Sequence, residues 1–198
     1  MYSKISNYIT DQIYVNLPDV KPEKREIIEY GAYMALSEIS KITLLLVISA
    51  ILHVFLYVIG IILIFGILRY CLGGIHARTH LGCLISYFLF VFGILAASVY
   101  MPDNRLIMDM IVIPFSFIVA YLYAPADMPM KPVVSKKQRK RLRISGFILL
   151  TILYILAQNA GKVWFNLIML TCMLMSILMT PLIYKITNNK YAREEVTL

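Results

Sequence analysis

Charge is scarce in this chain. Only 15% of its 198 residues are Asp, Glu, Lys or Arg, against 60% hydrophobic, and the mean hydropathy is +0.76. No soluble globular domain of this length needs so much apolar surface, so the class is a polytopic membrane protein. Period-2 alternation is also missing. The apolar runs are continuous, which excludes a β-barrel and leaves helices, because a lipid-exposed segment must satisfy its own backbone hydrogen bonds. The three cysteines, Cys71, Cys83 and Cys172, are an odd number without a disulfide pattern. They read as free thiols facing a reducing cytosol. The first 40 residues are too polar to hold the apolar core of a secretory signal peptide, so none is expected. There is no internal repeat and no low-complexity segment. No nucleic-acid partner and no cofactor are expected.

What is present is a set of long apolar segments. A span needs roughly 20 apolar residues, and six are read, at about 33–52, 54–69, 84–101, 105–123, 144–160 and 163–184. The first two run together with little interruption except His53 and could form one tilted helix. Charge decides for six. With the amino end inside, the inner segments carry Lys4, Lys21, Lys24, Arg25, Arg69, Arg78, Lys131, Lys136, Lys137, Arg139, Lys140, Arg141, Arg143, Lys185, Lys190 and Arg193, sixteen in all. The outer loops keep two, Arg105 and Lys162, a strong positive-inside bias. Lys41 falls inside the first span, where it is expected to snorkel, and Glu38, three residues earlier, is its expected partner. The expected fold is therefore all-α, one membrane domain over 1–198 with about six transmembrane helices and both termini cytoplasmic. Residues 1–31 form an interfacial segment, in which Ile5, Tyr8, Ile9 and Ile13 recur at helical spacing until Pro18 and Pro22. Residues 69–83 and 124–143 are the two segments with chemistry, and both fall on the cytoplasmic side.

The first reads Arg69-Tyr-Cys-Leu-Gly-Gly-Ile-His76-Ala-Arg-Thr-His-Leu-Gly-Cys83. An imidazole and a thiol beside a Gly-Gly pair are the parts of a cysteine nucleophile with its base. Seven residues on one straight helix would separate His76 and Cys83 by about 10 Å along the axis. Proton transfer needs roughly 2.6–3.2 Å or one water. The segment must therefore bend, and Gly73-Gly74 and Gly82 offer the places. His80, three before Cys83, is a rival base, and spacing alone does not choose between the two. His76, His80 and Cys83 as a metal face lack a fourth ligand. A plainer reading makes Cys83 a packing residue, His76 an interfacial one and the chain a transporter subunit or adaptor. Against it stand the clustering of polar residues at one junction and the Gly73 and Gly74 N–H groups, which could hold an oxyanion. The residues by themselves leave both readings open. The second segment carries the basic run, which anchors topology and lipid headgroups or docks an acidic peptide.

Arg69-xxx-Gly73-Gly74-x-His76-Ala77-x(5)-Cys83 resembles the signature of the accessory gene regulator B family, bacterial membrane cysteine endopeptidases of peptide quorum sensing. Tyr123-Ala-Pro-Ala-Asp127, then Lys131-Pro132 and the run Lys136–Arg143, is a second match in the right order. The resemblance covers nearly the whole chain. It implies that His76 and Cys83 are catalytic. In that chemistry the Gly73 and Gly74 amides, with Arg69, would position the reacting carbonyl, and the positive field of Lys136, Lys137, Arg139 and Lys140 would dock an acidic tail. The resemblance implies no metal. The substrate it implies is a small precursor peptide with an amphipathic amino-terminal helix and an acidic carboxyl tail. Tail removal through a Cys83 thioester would be followed by ring closure to a thiolactone. The partners it implies are that peptide, the lipid bilayer and a second copy of the chain, in the bacterial cell membrane.

Overall fold

The computed structural model of the protein describes residues 2–16, 24–75, 80–127 and 135–189. Eight helices hold most of them: α1 Tyr2–Asn16, α2 Arg25–Ile51, α3 Phe55–Leu72, α4 His80–Tyr100, α5 Arg105–Tyr123, α6 Lys136–Gln158, α7 Lys162–Leu178 and α8 Pro181–Ile186. There is no strand among the described residues. The protein is an all-α polytopic membrane protein. Helices α2 to α6 are long and apolar enough to cross a membrane. The sixth apolar helix, α7, has 17 residues. At about 25 Å it falls a little short of a hydrocarbon core of about 30 Å.

The chain divides into two compact units, Met1–His53 and Val54–Leu198. In the first, α1 lies against α2 with its small polar residues Ser6 and Thr10 buried, while Ile5 and Tyr8 are exposed. Arg25 ties the pair by bonding the Asp11 carboxylate and covering the Tyr14 ring. α2 starts at Arg25, so residues 25–31 of the expected amino-terminal segment are the first turns of a 27-residue helix, with no Pro or Gly to interrupt them before Gly31. The Lys41 side chain is 3% exposed and its ammonium bonds Glu38 Oε1 at 2.5 Å. A lysine this deep is tolerated where a carboxylate accompanies it.

In the second unit α7 is the axis. It packs against α3, α4, α5 and α6, and its buried residues, among them Phe165, Asn166, Leu167, Thr171, Cys172, Met175 and Ser176, go all the way round. A helix that is apolar on every side is a core helix, and its short length follows, because neighbours rather than lipid cover it. The hydroxyls of Thr171 and Ser176 donate to carbonyls one turn back, at 2.7 and 2.8 Å, so they cost little in that dry setting.

The Ile42–Leu68 run is two helices, as the six-span reading expects, separated at Leu52–Val54, where His53 takes a φ of 56°. Two other boundaries differ from the expected spans. The last span ends at Leu178 rather than continuing to 184. Pro181 cannot continue the helical hydrogen bonding, and Thr180 before it is extended, with ψ 148°. The basic segment is largely helix: α6 begins at Lys136, with Ser135 as its amino-terminal cap accepting from the Gln138 N–H at 3.4 Å. Lys, Arg and Gln are good helix formers, and no breaker stands between Ser135 and Gly146.

Candidate active site

The expected bend is at Gly73-Gly74. α3 stops at Leu72 because both glycines adopt positive φ, 81° and 117°, conformations that a Cβ disfavours. Gly73 is fixed more tightly still. A Cβ there would lie 2.4 Å from the Ala126 carbonyl oxygen. The two backbones touch because Gly73 and Ala126 form a parallel bridge. The Ala126 N–H donates to Leu72 O and the Gly74 N–H donates to Ala126 O, each at 2.8 Å. The two sequence segments singled out for chemistry are thus joined backbone to backbone. Gly146 on α6 lets the joint close: a Cβ there would meet Leu72 Cδ2 at 2.2 Å.

Residues 124–127, after α5, form a strap with the Ala124–Pro125 peptide cis. Ala124, Ala126 and Asp127 are all buried. The start of α6 holds the strap. Arg139 forks onto Asp127, with Nη2 to Oδ2 at 2.6 Å and Nη1 to Oδ1 at 3.4 Å, and Arg143 Nε donates to Ala124 O at 2.8 Å. From the other side Tyr184 Oη on α8 donates to Ala126 O at 3.0 Å. Burial pushes the Tyr184 phenol above the ordinary tyrosine range, so it serves as a neutral donor.

Cys83 sits on the first turn of α4, partly exposed, and His80 opens the same helix three residues earlier. His76, with Ala77, Arg78 and Thr79, lies outside the described residues, as does Lys131-Pro132. The described chain reaches Ile75, whose carbonyl accepts from the Arg69 guanidinium; that guanidinium also lies 5.6 Å from the Phe65 ring centroid. One turn deeper Phe65 meets Tyr87 edge to face. The Gly73 and Gly74 amides, expected as oxyanion donors, are bonded within the chain, to Arg69 O at 3.0 Å and to Ala126 O. Lys136, Lys137 and Lys140 are exposed at the start of α6, whereas Arg139 is half-buried on Asp127.

The accessory gene regulator B family profile matches residues 4–188. The chain belongs to that family. An AgrB-like protein 2 of Clostridium perfringens strain 13 is 26% identical over 161 residues, covering 77% of this chain and 73% of the relative. An AgrB-like protein of Listeria monocytogenes strain HCC23 is 30% identical over 176 residues, 85% and 82% of the two chains. One from Clostridium acetobutylicum is 27% identical over 188 residues, 87% and 83%. No solved structure matches.

Sequence reasoning missed three residues of this accessory gene regulator B chain: Arg143 and Tyr184, and Asp127 in any role beyond its place in the motif. Asp127 left a signal. It is the one acid between Asp109 and Glu194, directly ahead of the basic run. Tyr184 left a weaker one, the Thr180-Pro181 dipeptide that turns the chain back after α7.

Proposed function

We propose that this chain is a membrane cysteine endopeptidase of an agr quorum-sensing system, acting on a small precursor peptide at the cytoplasmic face. Cys83 is the nucleophile and His76 its base. His76 takes the thiol proton, the thiolate attacks the carbonyl at the junction with the acidic tail, and His76 returns the proton to the leaving amine. The tail departs and a thioester remains on Cys83. A thiol within the signal segment then displaces Cys83, exchanging one thioester for another and closing the ring. Water must be kept away, or hydrolysis gives a linear peptide.

The observation that carries the reading is the Gly73–Ala126 bridge. It ties the segment leading to His76 to the second family motif, at the end of the bundle where Cys83 stands on the first turn of α4. Because the Gly73 and Gly74 amides are spoken for, the candidate for steadying the oxyanion is Arg69. The exposed lysines Lys136, Lys137 and Lys140 attract the acidic tail through a field screened over roughly 8 Å at physiological ionic strength.

The test is co-expression with a precursor peptide encoded beside the gene, followed by mass analysis. Cys83→Ala and His76→Ala are expected to abolish tail removal in a protein that still reaches the membrane, while His80→Ala keeps substantial activity. Cleavage by Cys83→Ala at the normal rate would sink the peptidase reading and favour a non-enzymatic adaptor or transporter subunit. A dead His80→Ala beside an active His76→Ala would move the base.

A further inference from the structure

The basic run is not one surface. Lys136, Lys137 and Lys140 are exposed, whereas Arg139 and Arg143, one turn apart on the same helix, turn onto the strap. We propose that Tyr184, Asp127, Arg139 and Arg143 are positioning residues: they lock the Ala124–Asp127 strap and so fix the point from which the His76 segment departs. This rests on the peptidase reading above.

The centre of the lock is Ala126. Its N–H holds Leu72, the last residue of α3, and its carbonyl accepts from both Gly74 and Tyr184. A carbonyl oxygen has two lone pairs, and here both are engaged. Leu72, Ala126 and Tyr184 are each 2% exposed or less. Without water to exchange with, such bonds hold their geometry more firmly than surface ones. Gly74 is two residues from His76, so movement of Ala126 passes to the base through a short stretch of backbone. Asp127 fastens the strap's exit. Its carboxylate is 3% exposed, and the Arg139 fork fixes both its position and its plane. Electrostatics agree with this division. Cations at a helix amino end oppose the helix dipole, and the buried Asp127 beside Arg139 offsets that on the inward face only. The lysines keep their charge for a partner outside.

Purified full-length protein in lipid nanodiscs tests this with two measurements: steady-state cleavage of the precursor, and the rate at which iodoacetamide alkylates Cys83, read by mass spectrometry of its peptide. Tyr184→Phe removes one hydroxyl and keeps the ring, so the fold should survive. It should lower kcat about threefold to tenfold, the effect of one hydrogen bond, and leave KM within about twofold. Arg139→Gln and Asp127→Asn should each lower kcat, and the double variant should be no worse than the poorer single one, because they form one unit. Arg139→Lys, which keeps the charge and loses the fork, should not restore the rate. Replacing Lys136, Lys137 and Lys140 by Gln should instead raise KM, and only for a precursor that keeps its tail acids. Alkylation should slow in His76→Ala and in Tyr184→Phe, with no precursor present. Unchanged kcat and unchanged alkylation in Tyr184→Phe would overturn the proposal. So would losses that track a fall in thermal stability across all the variants. If the wild type does not cleave, or Cys83→Ala cleaves equally well, the peptidase reading fails instead. The alkylation arm then decides the strap by itself: slower in Tyr184→Phe upholds it, unchanged removes it.

Discussion

Both ends of the α3–α7 bundle are tied by cations on backbone carbonyls, yet they are built differently. At the far end Arg105 donates to Gln158 O at 2.9 Å and Ala160 O at 2.8 Å and lies 4.7 Å from the Phe165 ring centroid. Lys162 reaches Val99 O, and Asn166 reaches Ser98 O and Met101 O. Each tie there runs from one side chain to a neighbouring turn. At the site end the side chains of Arg139, Arg143 and Tyr184 hold a strap, and the strap holds Gly73-Gly74 through its own peptide groups. A single far-end tie can be lost with one helix end loosening. At the site end a single loss reaches the backbone that leads to His76. The two cations of the far end are also the two that the sequence's charge count assigns to the outer loops.

The sharpest way to break this comparison is to ask which end faces the cytoplasm. In a cysteine-free background, Asn104→Cys at the far end should be labelled on intact cells by a membrane-impermeant maleimide. Lys137→Cys at the site end should be labelled only after permeabilisation. The reverse pattern would put the candidate site outside. Next in size is Gly73→Val. It forces a Cβ into the Ala126 carbonyl at a φ that β-branched residues avoid. A shift of about 1 Å in the reacting groups can cost roughly a hundredfold in rate, so cleavage should fall by about that much while helical content by circular dichroism is retained. Arg105→Ala should do the opposite. Loss of charged hydrogen bonds costs about 1.5–3 kcal/mol, so the melting temperature in detergent should drop, whereas kcat of the folded fraction stays within about twofold. A kcat lost in Arg105→Ala at unchanged stability would mean that the two ends are not separable.

Much of the far end was legible in advance. Pro102-Asp-Asn and the Gln158–Lys162 turn mark its helix boundaries, because proline, glycine and asparagine act on the local backbone whatever surrounds them. The bend at Gly73-Gly74 was legible for the same reason, as was the Glu38–Lys41 pair, whose spacing follows from one helix alone. The site end was less so. Arg139 reads as one cation in a run of six, and its sequence does not say that it turns inward to Asp127 while Lys140 beside it turns out. The burial of Lys41 was hidden likewise, since spacing along one helix does not report exposure.

By itself the sequence determined the class, the apolar segments, the bias of positive charge, and the thiol and imidazole about which a peptidase can be argued. These follow from composition and local spacing, properties that lipid and short stretches of backbone read directly. Only the tertiary structure decided that α7 is the axis, that the chain turns at Pro181 to bring Tyr184 back, and that Gly73 lies against Ala126. Those facts join residues far apart in the chain, and no local preference encodes a contact between two backbones so distant in sequence.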